Sequence, residues 1–253
     1  MASEEEIENV LQQIEGEYGV EIMDAREFGS RAWGLATEES DHDIAIVFTQ
    51  PKEAYISLNR YIETIDRTFH DGDIEIMGFN LKYFMKHVRD CKPNAVEFLK
   101  SPVRYRESGK LDELEDYIED NFKEVSLYHH YRQLGKSQYE RYLKDRKDTT
   151  VKRNLYVFRG FLYAQHIKKK ETLPPMDFVK FVEEGTENNS LDIEYVWEDV
   201  YEMVEKKKEG LNPEIGVPQE EWIMEKTEEM IDTDRSSIIE KEKLDEFLLE
   251  WID

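Results

Sequence analysis

The chain has 253 residues and a formal net charge of −24, with 39% hydrophobic and 36% charged residues, enough to bury a core in one large domain or two small ones. No stretch reaches the roughly 20 apolar residues of a membrane-spanning helix, and the start, MASEEEIENV, lacks the basic and apolar regions of a signal peptide. A single cysteine, Cys91, excludes an intramolecular disulfide and a multi-cysteine zinc site, so a cytoplasmic, reducing location and no membrane partner are expected.

The charge is unevenly spread: net −15 over residues 1–120, +9 over 121–170 and −18 over 171–253. An acidic chain repels nucleic acid at long range. A local basic cluster still grips phosphate oxygens at short range.

In chain order, residues 3–17 read as an amphipathic helix. Ser3 and Glu6 have capping-box spacing, and Ile7, Val10, Leu11 and Ile14 form an apolar stripe. A strand is expected over 20–28, then a Gly29-Ser30 turn and a short helix over 31–35. HDIAIVF (42–48) is the clearest strand. Pro51 occupies the first position of a helix expected to run to about residue 67. Residues 73–79 form a third strand, whose period of two puts Asp73, Glu75 and Met77 on one face and Ile74 and Ile76 on the other. Short helices follow over 81–90 and 93–99. Beyond residue 108 only helices are expected: 111–122, 127–144, 151–169, 178–184, 193–208 and a long last segment from residue 219. The fold class is therefore α+β. A small mixed β-sheet domain (1–107) precedes an all-helical domain (108–253).

The chemistry concentrates in Gly29-Ser30, a spacer, and Asp41-His42-Asp43. A Gly-Ser pair between strand and helix lets backbone N–H groups approach a phosphate, and Ser30 adds a hydroxyl. Asp41 and Asp43 stand two apart at a strand start, so both carboxylates face one way. Adjacent like charges need a cation between them, and Mg²⁺ (or Mn²⁺) takes hard carboxylate oxygens. A third carboxylate on the neighbouring strand, from Asp73 or Glu75, would complete a two-metal site suited to in-line nucleotidyl transfer from a nucleoside triphosphate.

In the basic stretch, Lys152, Tyr156 and Arg159 lie at i, i+4 and i+7, as do Arg132, Lys136 and Tyr139 on the preceding helix. Lys136, Lys152 and Arg159 are candidates to bind the triphosphate, and Tyr156 to stack a base. The plainer reading is a set of surface cations balanced by distant acids. In the last segment Trp222, Ile223, Met230, Ile231, Ile238, Ile239, Phe247 and Leu248 form an apolar stripe for packing within the monomer or between protomers, so homo-oligomers through the C-terminal helices are one expectation.

GSRAWGLATEESDHDI resembles the signature of the DNA polymerase β-like nucleotidyltransferase superfamily. More narrowly, it is similar to the RlaP and YcgL-type nucleotidyltransferases. The likeness continues through IEIMGFNLKYFMKHVRDCKPNAVEFLKSPVRY and KRNLYVFRGFLYAQ, over roughly residues 20–180. The resemblance implies Asp41, Asp43 and Glu75 as catalytic metal ligands. It registers the third carboxylate on Glu75, where the family favours Asp. Gly29, Ser30 and Arg31 would bind the phosphates, with Mg²⁺ as cofactor and an RNA end (tRNA included) as acceptor. His42 and Asn80 also depart from the family pattern. Those departures motivate the alternative, a catalytically silent nucleotide-binding or protein-interaction module on the same fold.

Overall fold

The computed structural model describes residues 2–58, 60–231 and 239–252. The chain divides into two units. Unit one holds the residues up to Trp33, then Glu38–Asn121 and the C-terminal helix; unit two holds Gly34–Thr37 and the chain from Phe122 through the helix Glu220–Glu228. The boundary expected at residue 107/108 differs from this division. The helix Lys110–Asn121 buries Leu111, Leu114 and Ile118 in unit one, and the C-terminal helix buries Leu244, Phe247 and Trp251 there.

Unit one begins with α1 (Glu4–Tyr18), whose Ser3–Glu6 capping box satisfies its first free N–H groups. Its stripe of Ile7, Val10, Leu11 and Ile14 packs on one face of a five-stranded sheet, against Ile22, Ala25, Ile44, Ile46, Phe48, Ile65, Ile74 and Ile76. The sheet comprises β1 (Glu21–Phe28), β2 (His42–Thr49), β3 (Thr64–Phe69), β4 (Ile74–Asn80) and β5 (Arg104–Arg106), in the order β3-β4-β2-β1-β5. β2 and β4 are parallel and every other neighbouring pair is antiparallel, which makes the sheet mixed. A four-residue helix, α2 (Gly29–Ala32), follows β1, and α3 (Lys52–Ile56) follows β2. α4 (Leu81–Arg89) and α5 (Pro93–Lys100) lead to β5 and α6 (Lys110–Asn121).

Two elements depart from expectation. The helix from Pro51 stops at Ile56, where Ser57 is extended, and the chain then forms β3. Ile62, Thr64, Ile65, Thr68 and Phe69 are strand-formers. β3 lies at the sheet edge and fully buries only Ile65, so its alternation is faint in the sequence. β5 was hidden because its arginines look like loop residues. They are neutralised instead: Arg104 pairs with Glu115 at 3.0 Å, and Arg106 with Glu8 at 2.6 Å and Glu15 at 2.8 Å. Asn80, which departs from the family pattern, accepts the Lys82 N–H at 3.0 Å and caps α4.

Unit two contains α7 (Glu124–Gln138), a π-helical turn over Tyr139–Leu143, α8 (Val151–Lys170), α9 (Phe178–Asn188), α10 (Glu194–Lys208) and α11 (Glu220–Glu228). The last segment is thus two helices, α11 here and α12 (Lys241–Trp251) in unit one; Ile238 lies outside the described residues. The expected stripe is divided accordingly. Trp222 stacks on Phe158 at 5.8 Å inside unit two, while Ile239 and Phe247 are buried in unit one.

α7 and α8 meet through glycines. A Cβ on Gly160 would lie 2.5 Å from the Gly135 nitrogen and 2.9 Å from the Tyr131 carbonyl oxygen, both backbone atoms that cannot swing aside. Gly160→Ala gains about 1 kcal/mol of helix propensity. Overpacking against rigid backbone costs about 1–3 kcal/mol or more. A net loss of stability is expected, read as a lower urea midpoint.

Glu229 ends α11 among cations. Burial alone would raise its pKa, but hydrogen bonds from Lys226 (2.9 Å), Gln165 and Lys168 prevail and hold it at about 2. A carboxylate whose folded pKa lies below its ordinary 4.5 stabilises the fold fully above that pH, and the contribution disappears as pH falls towards 2. The linked free energy is about 3 kcal/mol. Stability measured across that window should fall less steeply in Glu229→Gln than in the wild type.

Candidate active site

The site is built where β1 ends and β2 and β4 begin. Because β2 and β4 are parallel and in register, Asp43 stands directly opposite Glu75. Side chains opposite one another on adjacent strands share a face. β3 adds Thr68 beside Glu75, and Asp66 beside Met77 in the next row. These residues, with Phe28, Ile44, Arg67 and Ile76, line a cavity of about 430 Å³. A helix expected from Pro51 to about residue 67 overlaps the first part of β3, so the sequence pattern singles out neither Asp66 nor Thr68. Only the strand-forming composition of β3 could have revealed them.

Gly29 has φ +65°, and a Cβ there would sit 2.0 Å from Asp43 Oδ2. Only glycine therefore suits this position, both for the left-handed backbone and for the room that the carboxylate requires. Ser30 follows, half-exposed, in α2. Arg31 turns to the spacer: Nε donates to the Asp41 carbonyl at 3.0 Å and Nη2 to the Ser40 carbonyl at 2.6 Å. It thereby clasps the chain just before the strand. Trp33 is buried rather than presented to a ligand.

Asp41 is exposed, one residue before β2. Asp73 sits at the end of a 3₁₀ turn with φ −69° and ψ −23°, outside the strand, so the alternation that carries Glu75 does not extend to it. It does not line the cavity; its carbonyl accepts the His42 N–H at 2.9 Å. Among the described residues, no three His, Cys, Asp or Glu side chains gather closely enough to hold a metal ion. The chemistry of the donor set still fits a hard divalent cation: two carboxylates in register, one of them seated against a glycine.

Behind this face lies a buried polar cluster. Glu27 is fully buried. Its Oε1 accepts the Asp43 N–H at 2.8 Å, and its Oε2 accepts the Tyr105 hydroxyl and faces His42 Nδ1 at 3.1 Å. Burial pushes Glu27 up to about 7, against the pull of those donors. Burial also raises the Tyr105 hydroxyl and lowers His42.

The basic candidates lie in unit two. Lys136 pairs with Glu228 at 3.2 Å, Lys152 is exposed, and Tyr156 is half-buried. Arg159 is buried among the helices, its guanidinium 5.5 Å above the Tyr163 ring. Arg146 pairs with Glu220 at 2.5 Å and Lys168 with Glu229 at 3.1 Å, so acids of α11 and its C-terminal end offset much of the positive stretch. No described helix is long and apolar enough to cross a membrane.

Comparison with known proteins bears on this arrangement. The family model described as "RlaP: RNA repair pathway DNA polymerase beta family" matches residues 3–249. The chain is 30% identical over 201 residues to "Uncharacterized protein YcgL" of Bacillus subtilis (strain 168), covering 79% of this chain and 75% of that one. It is 29% identical over 102 residues to an uncharacterized 38.9 kDa protein from the nrdC-mobD intergenic region of Enterobacteria phage T4, covering 37% of this chain and 30% of that one. A crystal structure of a nucleotidyltransferase-like protein from Exiguobacterium sibiricum 255-15 aligns with a TM-score of 0.33 at 12% identity, over 87% of this chain and 75% of that one. With a match running almost end to end and a relative at this identity over three quarters of its length, the chain belongs to the RlaP family of DNA polymerase beta-like proteins.

Proposed function

We propose that the chain is a divalent-metal-dependent nucleotidyltransferase that moves a nucleoside monophosphate from a nucleoside triphosphate to an RNA end. Membership of a DNA polymerase beta family supports nucleotidyl transfer as the class of chemistry. The observation that carries the reading is the opposition of Asp43 and Glu75 on one open face, with Gly29 against Asp43.

In this reading Asp43 and Glu75 hold Mg²⁺ or Mn²⁺, with Asp41 brought in from the residue before β2. When bound, the metal supplies activation of the attacking hydroxyl and charge neutralisation at the departing pyrophosphate. Gly29 lets a phosphate come near the backbone, and Ser30 offers it a hydroxyl. Arg31 fixes the spacer so that Asp41 and Asp43 keep their places. All of these groups lie in unit one.

The test is incorporation of α-labelled nucleoside triphosphates into RNA with Mg²⁺, each nucleotide assayed separately. Label should enter RNA with the wild type and not with Asp43→Asn. Equal incorporation by both would overturn the proposal.

A further inference from the structure

Asp43 is held from the far side of the sheet. Along β2, His42, Ile44 and Ile46 alternate with Asp43, and Ile44 and Ile46 belong to the core under α1. His42 therefore faces α1, and Asp43 faces the open cavity. Glu27 shares the α1 side with Ala25, one residue removed from Phe28, the direct partner of Asp43. From there its Oε1 reaches the Asp43 N–H at 2.8 Å.

The other oxygen is fixed as firmly. Oε2 accepts the Tyr105 hydroxyl, and His42 Nδ1 lies 3.1 Å from Oε2 and 3.0 Å from the Tyr105 oxygen. With both acceptors in front of it, Nδ1 is the protonated nitrogen. The backbone of Glu27 is also tied: its N–H donates to the Val103 carbonyl at 2.9 Å, and its carbonyl accepts the Ser101 hydroxyl at 2.6 Å. A buried carboxylate so close behind acidic residues is electrostatically costly. A core position needing only bulk would be filled better by an apolar side chain. Here the carboxylate instead ties the backbone of Asp43 and the ring of His42 to β1.

We infer that Glu27 is a positioning residue, which sets the backbone at Asp43 and so aims the Asp43 carboxylate at the cation shared with Glu75. This rests on the nucleotidyl-transfer reading of Asp43 and Glu75. The contact depends on reach and on an acceptor oxygen, not on a net charge. Glu27→Gln keeps an oxygen at the same distance from the Asp43 N–H; its amide N–H group faces Tyr105 and His42, and both can turn acceptor towards it, Tyr105 by rotating its hydroxyl and His42 by carrying its proton on Nε2. Glu27→Asp keeps a carboxyl group and withdraws its oxygen by one methylene.

The experiment is Mn²⁺ binding to the full chain, followed by the electron paramagnetic resonance signal of free Mn²⁺, well below each variant's unfolding midpoint. Wild type, Asp43→Asn, Glu27→Gln, Glu27→Asp and Glu27→Ala are compared. Asp43→Asn should bind much more weakly. Glu27→Asp and Glu27→Ala should lose about tenfold in affinity, the scale for removing a group that orients a metal ligand, and Glu27→Gln should stay near wild type. Kinetics should agree, with kcat falling in Glu27→Asp while KM for the triphosphate holds. If Glu27→Ala does not fold, Glu27→Asp carries the comparison. Wild-type affinity in Glu27→Asp, beside a clear loss in Asp43→Asn, would overturn the inference and leave the proposed function standing. No difference between wild type and Asp43→Asn would overturn the proposed function, and the inference with it.

Discussion

Asp43→Asn is expected to lower nucleotidyl transfer by about a thousandfold while leaving the fold intact. The substitution keeps the shape of the side chain and its backbone N–H bond to Glu27. It removes the negative charge from one of the two carboxylates that stand opposite each other on β2 and β4. Loss of a metal ligand forfeits several kcal/mol of transition-state stabilisation. At about 1.4 kcal/mol per factor of ten, 4 kcal/mol is roughly a thousandfold. Glu75→Gln should act in the same direction. Asp73→Asn should have little effect, because Asp73 lies outside the strand and outside the cavity lining. The check is the steady-state rate of label transfer at saturating Mg²⁺, with circular dichroism to confirm folding.

The second large effect concerns Arg26, fully buried in β1. Its Nε donates to Asp24 at 2.7 Å and its Nη1 to the Leu99 carbonyl at 2.6 Å, and Glu115 of α6 lies 3.4 Å away. The guanidinium also stands 5.1 Å over the Phe98 ring. It thus joins β1, α5 and α6 on the sheet face opposite α1. Arg26→Ala would leave Asp24, only 1% exposed, without its cation. Burial already raises the Asp24 carboxyl above its ordinary value, with Arg26 the chief opposing influence. Breaking one partner out of a buried ion pair costs about 3–5 kcal/mol, a large share of a typical folding free energy. Hydrogen exchange of the β1 and β2 amides should speed up accordingly. Unchanged protection would show that the pair contributes little.

Much of the sheet was legible because its central strands carry strong patterns. HDIAIVF is nearly all buried, and Ile74 and Ile76 alternate with Glu75 and Met77. The Gly29–Asp43 proximity was implicit in the spacing of the motif, since a strand, a turn and an antiparallel return bring those positions together. The edges were not legible. β3 fully buries one residue, and β5 is three residues long, with Arg104 neutralised by Glu115 of the next helix and Arg106 by Glu8 and Glu15 of α1, far away in the sequence. The sequence pattern also placed Asp73 beside Glu75, because a period of two assumes an unbroken strand; the 3₁₀ turn over His70–Gly72 ends that assumption. Glu27 was invisible as a participant. A lone glutamate in a strand reads as a solvent-facing charge, and its meaning comes from Tyr105, which is 78 residues away along the chain.

The unit-two cations show the opposite limit. Spacing at i, i+4 and i+7 put Lys152, Tyr156 and Arg159 on one helical face. α8, however, is buried on most sides, and Arg159 with it. The positive stretch also meets acids that no local window contains, Glu220 and Glu228 in α11 and Glu229 just beyond its end.

The most direct test of the account is a crystal soaked with Mn²⁺ and read by anomalous scattering. The account predicts a peak within about 2–2.2 Å of carboxylate oxygens of both Asp43 and Glu75. A Mn²⁺ peak that touches neither side chain, at concentrations that support catalysis, would contradict it.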